Sequence, residues 1–426
     1  MGLIVLSKLK PKSEFSRNVL TLMTGTTIAQ AIPIAISPIL TRLYSPEDFG
    51  ILALYMSIAS LLAVVATGRY ELAIMLPRKE SDAFNVVVLS LAIAILISLF
   101  SFMVVFTFNE QITNMLNNPK ISNWLYFVPL TILLTGTYQS LNYWNNRKKQ
   151  YKLISTTRVV QSASSGVSNL TFGFSGYTYG GMILGGLIGQ VVSTSILSKK
   201  LLQDDSGLFK YISKAKIFAL MKKYKKFPLV NSLHAFINIL KENSVNIFIA
   251  LKYSSSVLGY YFFMLRLMKL PSGLLGSSIA QVFYREATER FAVEKNIQGL
   301  VLSLIKKLAL ISILPIGLFY FVAEDLFRIV FGEEWIVAGS YAKAITPYIL
   351  FHFIASPMGM VPLIVNEQEK AFFWGLFESI LFVSLFIVGY FVFSDLTITL
   401  YLLSIVMPLY FLIYFYWIYR IAGEKQ

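Results

Sequence analysis

The sequence predicts an all-α membrane protein with twelve transmembrane helices. Three observations predict this fold class. Hydrophobic residues make up 56% of the 426-residue chain and charged residues only 14%, a balance unlike that of soluble domains. Twelve apolar stretches have roughly the length of about 20 residues that spans a bilayer. The Lys and Arg residues between these stretches are concentrated on alternate sides, as the positive-inside rule requires.

The twelve predicted spans are joined by mostly short connections. They cover 17–42, 48–75, 83–107, 121–142, 153–175, 177–198, 228–251, 255–281, 301–323, 341–364, 370–393 and 396–420. Of the 37 Lys and Arg residues, 27 fall on one side of this map and five in the loops of the other. The basic side is predicted to be cytoplasmic, and both termini lie on it. A cleaved signal peptide is not expected, because the basic start leads into a full-length span.

Composition excludes several classes of function. The net charge of +15 is explained by topology and by anionic lipids of the inner leaflet, so nucleic acid is not a predicted partner. The chain has no cysteine, which excludes disulfides and thiolate chemistry. No segment is long enough for a soluble catalytic domain, and the acidic pair Asp204-Asp205 is predicted to be a solvated turn. The chain is therefore predicted not to be an enzyme and to hold no metal.

The chain divides into two halves of six spans each. Residues 1–198 form the predicted N-terminal lobe, 199–227 a basic cytoplasmic linker and 228–426 the C-terminal lobe. The stretch that begins at Tyr44 matches the stretch that begins at Tyr253, with three identities in seven residues at an offset of 209. We interpret this as an internal duplication. Six spans per half gives parallel repeats, with a substrate site expected between them.

The linker is predicted to contain a short interfacial helix. Ser213 has the residue type and position of a helix cap. The apolar side chains that follow are expected to face the membrane, and they are Ile217, Phe218, Leu220 and Met221.

Polar residues inside the spans fall on stripes at helical spacing. Segment one carries Thr26, Gln30, Pro33, Ser37 and Thr41; segment five carries Arg158, Gln161, Ser165 and Asn169; segment seven carries Asn231, His234, Asn238, Lys241 and Glu242; segment eight carries Arg266, Lys269, Gly273, Ser277 and Gln281. Lipid does not tolerate such faces, so they are expected to point inward and to line a polar cavity.

The predicted cavity has a surplus of positive charge. Its candidate anion-binding residues are Arg69, Arg158, Lys241, Arg266 and Lys269. Glu71 and Glu242 offset them only in part, and both are candidates for ion coupling. Arginine suits phosphate oxygens through its two-pronged geometry, and lysine adds a point charge.

Local explanations of these charges stay open beside the functional one. Arg69 and Glu71 could form a structural pair, and Arg158 could extend to the membrane surface. Glu242 could simply neutralise Arg266 or Lys269.

Prolines inside the spans predict bends. Pro33 in segment one and Pro271 in segment eight are the candidate hinges, with a static kink as the alternative for each. Segment six repeats glycine at positions 181, 185 and 189. This spacing is typical of a helix-packing face.

Three stretches give the sequence a family resemblance. They are Leu43 to Gly50 with Gly68 to Pro77; Gly259 through Arg266 and Pro271 to Ala287; and Phe331 to Trp335 with Ala338, Gly339 and Pro347. Together with the spans, they make the chain resemble bacterial oligosaccharide flippases of the O-antigen and capsule (Wzx) type. This group belongs to the multidrug/oligosaccharidyl-lipid/polysaccharide (MOP) exporter superfamily. The resemblance implies two six-helix lobes of MATE-like fold around a central cavity, with helices one, two, seven and eight at its portals.

The resemblance also implies a function. The expected substrate is an undecaprenyl-pyrophosphate-linked oligosaccharide, moved by alternating access to the outer leaflet of the bacterial inner membrane for O-antigen or capsular polysaccharide biosynthesis. Expected partners are membrane lipids, a polysaccharide polymerase and chain-length machinery, with no cofactor. Coupling to H+, to Na+ or to the membrane potential stays open. The alternatives are a flippase for another lipid-linked cell-wall precursor and a drug or metabolite exporter, which a surplus of five cations over two acids disfavours.

Overall fold

The computed structural model describes residues 14–270 and 276–423. Its α-helices are α1 Glu14–Leu43, α2 Pro46–Ala63, α3 Glu80–Met115, α4 Ser122–Leu125, α5 Val128–Arg147, α6 Tyr151–Phe174, α7 Tyr179–Asp204, α8 Lys214–Lys223, α9 Ser232–Lys252, α10 Ser255–Met268, α11 Ser277–Glu294, α12 Gln298–Phe331, α13 Ile336–Ala355, α14 Val361–Ile364, α15 Gln368–Phe393 and α16 Leu396–Ile421. Shorter 3-10 helices are Tyr70–Met75, Pro119–Ile121, Ser206–Tyr211, Glu333–Trp335 and Ser356–Met360, and a π-helical turn is Phe227–Asn231. The described chain contains no strand, which confirms the all-α prediction.

Eight helical segments of the described chain are long and apolar enough to cross a membrane. They are Leu20–Leu43, Pro46–Ala63, Glu80–Met115, Tyr179–Asp204, Gln298–Phe331, Glu333–Ile364, Gln368–Phe393 and Leu396–Ile421. The other four predicted spans correspond to α5, α6, α9 and α10. Three of these four helices, α6, α9 and α10, carry predicted polar stripes, and α10 has only 14 residues. The architecture is consistent with twelve spans, and these four are less apolar than the eight segments named above.

Two of the predicted spans that differ from the observed helices are the second and the eighth. The second, 48–75, ends as an α-helix at Ala63, and Gly68 and Arg69 then adopt left-handed backbone angles, with φ of 58° and 60°. Residues in this conformation cannot continue a right-handed helix. The eighth span is divided between α10 and α11. The candidate hinge Pro271 lies between these two helices, outside the described residues.

The described residues group into two compact units. The first contains the chain up to Tyr44 together with Ile51–Ile247, and the second contains Ser45–Gly50 together with the chain from Phe248 onward. A short segment near the start of the chain therefore packs with the C-terminal half. The predicted linker boundary at 199–227 stays a prediction.

In the first unit, α6 packs along both α1 and α7. The predicted glycine face of α7 makes one of these contacts: a β-carbon at Gly189 would lie 2.7 Å from the backbone oxygen of Gln161, and one at Gly185 would overlap the side chain of Asn169. On its other side, α6 is held to α1 by the hydroxyl of Ser162, which donates to the carbonyl of Ala29 at 2.6 Å. The prediction of a helix-packing face is confirmed.

The linker helix α8 packs against protein, which contradicts the predicted membrane-facing orientation. Leu220 is buried, and Ile217 and Met221 pack against the hydrophobic core of the first unit. Of the four predicted membrane-facing side chains, Phe218 alone is exposed, at 54%. An apolar face on a short helix can pack against protein as well as against lipid. Here it packs against the hydrophobic core of the first unit.

Side-chain hydrogen bonds fix this linker. Asn85 of α3 donates to the carbonyl of Tyr211 at 3.0 Å and accepts from the backbone N–H of Ser213 at 3.0 Å. The hydroxyl of Tyr70 donates to the carbonyl of Met221 at 3.0 Å. Ser213 begins the helix as predicted, but its side chain makes no capping hydrogen bond.

An aromatic cluster forms part of the core of the second unit. Phe49, Phe263 and Trp335 contact one another, with ring centroids 4.6 to 5.4 Å apart. Phe327 and Phe331 extend the cluster from α12. Trp335 and Phe263 are almost fully buried. Edge-on aromatic contacts of this kind stabilise a core beyond the area they bury.

Two glycines of the sequence repeat lie at one close crossing. A β-carbon at Gly50 would overlap the carbonyl oxygen of Ser255, and a β-carbon at Gly259 would overlap the carbonyl oxygen of Pro46. Pro46 and Ser255 are separated by the same 209 residues as the two glycines. The two copies of the repeat therefore contact each other at equivalent positions. The duplication itself stays a prediction.

Candidate functional site

The sharpest feature of the predicted site is the turn that follows α2. Arg69 lies 3.5 Å from a carboxylate oxygen of Glu71. Glu71 is 1% exposed and also accepts a hydrogen bond from the hydroxyl of Thr67. The arginine side chain is 26% exposed, so one end of the pair is buried and the other is accessible. Of the alternatives left open by the sequence, the local pair is therefore observed.

Arg69 retains binding capacity beyond this pair. Its Nε atom is buried and has no hydrogen-bond partner among the described residues. The residue also holds a left-handed backbone conformation, with φ of 60° and ψ of 14°. For a residue with a side chain this costs on the order of 1 kcal/mol or more, and such strain is typical of functional positions. A buried donor without a partner is costly, so an acceptor at this atom would be stabilising.

Helix α5 runs beside this turn and supplies further unsatisfied polar atoms. The side-chain oxygens of Gln139 and Asn142 are buried without hydrogen-bond partners in the described chain. Tyr143 interacts electrostatically with both Arg69 and Glu71. Arg147 donates to two backbone carbonyls of the segment after the turn, at 2.7 and 3.0 Å, and so fixes that segment to α5. These amide oxygens could accept hydrogen bonds from the hydroxyl groups of a sugar.

Arg158 connects two helices of the first unit. Its guanidinium donates to the hydroxyl of Thr26 at 2.8 Å, and the side chain is half-buried. Both residues belong to predicted polar stripes, on segments five and one. The structure therefore brings these two stripes together along the α1–α6 contact.

The remaining predicted residues lie on α9, α10 and α1. Lys241 is half-buried and Glu242 exposed, and both belong to the first unit. Arg266 and Lys269 are exposed near the end of α10, in the second unit. The candidate hinge Pro33 lies within the continuous helix α1. That the five predicted cationic side chains form one site stays a prediction.

The sequence-based count of acids inside the spans missed Glu378. This residue lies well inside α15, which is one of the most apolar helices of the chain. The sequence alone could have revealed this residue, because a carboxylate in the middle of a long apolar segment is unusual in any membrane helix. Gln139 and Asn142 were not predicted either. They are uncharged, and their helix has no polar stripe that would distinguish them from other amide side chains.

Residues from the three motif stretches that carry the family resemblance meet in the core of the second unit, away from most of the predicted cationic residues. Phe49, Phe263 and Trp335, one from each of the three motif stretches, meet in the aromatic cluster of the second unit. Gly50 and Gly259 belong to the same motifs and form the close crossing. These shared residues therefore specify the fold. The described residues contain no group of three or more His, Cys, Asp or Glu that could hold a metal ion.

Comparisons with known proteins agree with this architecture. Residues 39–340 match the family described as polysaccharide biosynthesis protein. Among solved structures, the chain is similar to the lipid II flippase MurJ in an inward closed conformation, with 14% identity, a TM-score of 0.71 and coverage of 93% of this chain and 87% of that one. It is also similar to an inward-facing multidrug resistance MATE family transporter of the MOP superfamily, with 13% identity, a TM-score of 0.64 and coverage of 93% and 96%. No curated protein matches its sequence.

At sequence identities of 13–14%, the similarity to these solved structures shows a shared fold. The family match is different, because it extends over most of the chain and includes the turn at Arg69, the close crossing and the aromatic cluster. The solved structures named above are those of a flippase and of a multidrug transporter. The chain thus belongs to the polysaccharide biosynthesis protein family.

Proposed function

We propose that this protein moves an undecaprenyl-pyrophosphate-linked oligosaccharide from the cytoplasmic to the outer leaflet of the bacterial inner membrane. The observation that carries the proposal is Arg69, a strained and partly exposed arginine whose buried Nε has no partner in the described chain. Pyrophosphate supplies several anionic oxygens, which suit such a guanidinium. The polysaccharide family match agrees with a glycan substrate.

The first unit offers groups for both parts of this substrate. Arg69 would bind the pyrophosphate, and the amide oxygens of Gln139 and Asn142 would accept hydrogen bonds from sugar hydroxyls. The other proposed anion-binding residues are Arg158, Lys241, Arg266 and Lys269. The lipid tail would remain in the bilayer, and alternating access would expose the headgroup on the outer side. Bending at Pro33 and Pro271 is part of the same proposal.

The membrane potential favours this direction of transport. Moving a negative charge outward across an inside-negative membrane gains roughly 2.3 kcal/mol per 100 mV. Two pyrophosphate charges would gain about 5 kcal/mol at that potential. Glu71 or Glu242 could add coupling to H+ or Na+, since both are carboxylates near the proposed anion-binding residues. Replacing both by Gln without loss of gradient-dependent transport would contradict their coupling role.

A proteoliposome assay tests the proposed function. Purified protein is reconstituted with a pyrophosphate-linked oligosaccharide lipid, and exposure of the glycan to an external glycosidase is followed over time. Protein-dependent exposure is expected, with strong loss in Arg69→Gln and in the double variant Arg266→Ala with Lys269→Ala. Arg285→Ala is the matched control, because Arg285 is a highly exposed arginine paired only locally, with Glu289.

The same assay separates the competing functions. Exposure of a lipid II type headgroup but not of other oligosaccharides would indicate a flippase for a different cell-wall precursor. Uptake of a soluble organic cation without any glycan exposure would overturn the proposal in favour of a drug exporter. The proposed polymer is O-antigen or capsule, and the proposed partners are a polysaccharide polymerase and its chain-length machinery.

A further inference from the structure

A groove between α11 and α12 lies in the second unit and shares no residue with the proposed anion site. Its volume is about 340 Å³, within the range of roughly 300–1,000 Å³ that is typical of sites for small molecules. Val282 and Phe283 of α11 and Leu300 and Leu304 of α12 contribute apolar side chains to it. The groove also contains one carboxylate, one ammonium group and one hydroxyl, so its lining is amphipathic.

The positions of the two helices create this groove. α11 packs against the 3-10 helix Ser356–Met360 and against α14, whereas α12 packs along α13. The turn that joins the two helices is held at the end of α16, because the N–H of Ile297 donates to the carbonyl of Ala422 at 2.9 Å. The groove therefore depends on the arrangement of helices and does not depend on the rotamer of a single side chain.

The charged residues of the groove are Glu286 of α11 and Lys307 of α12. Lys307 directly precedes residues 308–323, an uncharged part of α12 that is about 24 Å long at 1.5 Å per residue. In α11, residues 277–284 are uncharged, and Glu286 lies just after them. Both charges thus mark the end of an uncharged helical segment. We expect them to lie at the headgroups of the predicted cytoplasmic leaflet.

Apolar side chains continue from the groove onto the surface of α12. Val282, which lines the groove, is 68% exposed, and Leu310 and Leu314 of α12 are exposed as well. Phe283 is buried at the inner side of the groove. Exposed apolar surface on a membrane helix is suited to acyl chains. A lipid could therefore enter the groove from the bilayer.

The polar groups of the groove have free binding capacity. Glu286 and Lys307 have opposite charges, yet neither forms an ion pair with any residue that the structure describes. The hydroxyl of Ser303, which also lines the groove, has no hydrogen-bond partner in that part of the chain either. The groove thus offers one anionic acceptor together with a cationic and a neutral donor. A ligand that carries both signs of charge would satisfy all three groups.

We propose that this groove binds a zwitterionic phospholipid with a primary ammonium headgroup, such as phosphatidylethanolamine. The lipid phosphate accepts hydrogen bonds from Lys307 and Ser303, and the lipid ammonium group donates to Glu286. An acyl chain lies along Phe283 and Leu304. This lipid is a resident ligand of the second unit, and its binding does not depend on the proposed transport function.

The three polar groups also predict which lipids bind poorly. A choline headgroup is cationic but has no N–H that could donate to Glu286. A glycerol headgroup has no positive charge for this carboxylate. A polyprenyl phosphate would bring its negative charge close to Glu286, which disfavours it. Selectivity for the ammonium headgroup therefore distinguishes this groove from the proposed anion site.

Native mass spectrometry of the delipidated full-length protein in detergent tests the proposal. The protein is titrated with phosphatidylethanolamine, phosphatidylcholine, phosphatidylglycerol and undecaprenyl phosphate, the first three with identical acyl chains. One molecule of phosphatidylethanolamine is expected to bind more tightly than any of the other lipids. Equal binding of phosphatidylglycerol would show a general anion-binding surface and overturn the proposal. Tighter binding of undecaprenyl phosphate would assign the groove to the polyprenyl lipid and overturn it too.

Charge variants locate the bound lipid. Glu286→Gln and Lys307→Gln are each expected to weaken binding of phosphatidylethanolamine roughly tenfold, because each removes a charge-assisted hydrogen bond. Glu289→Gln and Lys306→Gln are the matched controls, since both residues are exposed neighbours that do not line the groove. Unchanged affinity in Glu286→Gln and Lys307→Gln would contradict the proposed site.

A change of shape tests the same site without altering its charge, and it covers the case in which the charge variants do not fold. Leu304→Trp is expected to fill the groove, whereas Leu302→Trp changes an exposed leucine outside it. Phosphatidylethanolamine should raise the thermal unfolding midpoint of the unmodified protein and of Leu302→Trp, but not that of Leu304→Trp. Equal shifts in the two variants would overturn the proposal. Because neither readout involves transport, failure of the proposed function would leave this result unaffected.

Discussion

At the scale of single residues, Arg69 and Glu71 serve two purposes that can be separated. The pair stabilises the turn after α2, because Glu71 is 1% exposed and needs a counter-charge. The accessible side of Arg69 is available for a ligand. A structural role and a binding role make different predictions for the single and double variants.

Arg69→Ala is expected to lower the free energy of unfolding by about 2 kcal/mol, because it leaves a buried carboxylate without its partner. Adding Glu71→Gln should restore most of this stability, since the buried group is then neutral. Glycan exposure should stay low in both variants. Thermal unfolding in detergent and the proteoliposome assay measure the two effects, and normal transport by the double variant would leave Arg69 with a structural role only.

Asp205 shows what residue-level prediction from sequence misses. The pair Asp204-Asp205 was predicted to be a solvated turn, which is wrong for Asp205. Its carboxylate is 8% exposed, accepts from the indole of Trp144 at 2.8 Å and lies 2.9 Å from the Lys148 ammonium. These partners are some 60 residues away in the sequence, so composition and spacing contain no sign of them.

At the scale of elements, the crossing of α2 and α10 depends on its two glycines. Gly50→Ala and Gly259→Ala are each expected to destabilise the protein by about 1–3 kcal/mol, because the added carbon meets backbone that must shift. Gly186→Ala is the matched control, a helical glycine with open space around it. Thermal unfolding of the three variants checks this, and equal midpoints in all three would contradict the observed close contact.

The linker helix gives a second prediction at this scale. Asn85→Ala removes the hydrogen bonds to Tyr211 and Ser213, so the linker should detach more often from α3. Trypsin is then expected to cleave at the linker lysines several-fold faster. Asn114→Ala, an exposed change on the same helix, should leave the rate unchanged. Equal cleavage rates in the two variants would show that Asn85 does not hold the linker.

At the scale of the whole molecule, the charge distribution predicts the membrane topology, and this prediction can be tested because the chain has no cysteine. A single cysteine introduced at Lys223 is expected to react with a membrane-impermeant thiol reagent only from the cytoplasmic side. A cysteine at Lys120 is expected to react only from the outer side. Labelling of intact cells and of inverted vesicles distinguishes the two, and the reverse pattern would contradict the positive-inside assignment.

Much of the fold was predictable because hydropathy and charge are properties of long segments. Most helix ends fall close to the predicted spans, and the repeat at an offset of 209 has a structural counterpart. The turn at Gly68 and Arg69 was not predicted, because a left-handed backbone leaves the hydropathy unchanged. The site was predictable only as a set of charges. Its unsatisfied amide oxygens, on Gln139 and Asn142, depend on contacts that no local pattern records.

The crossing at Gly50 and Gly259 has a consequence for how the protein changes shape. The contact is made by backbone atoms on both sides, so no side chain can swing aside to loosen it gradually. The two approaches are equivalent by the repeat and lie close to each other. We therefore expect a conformational change either to keep this crossing closed or to separate backbone from backbone at both approaches.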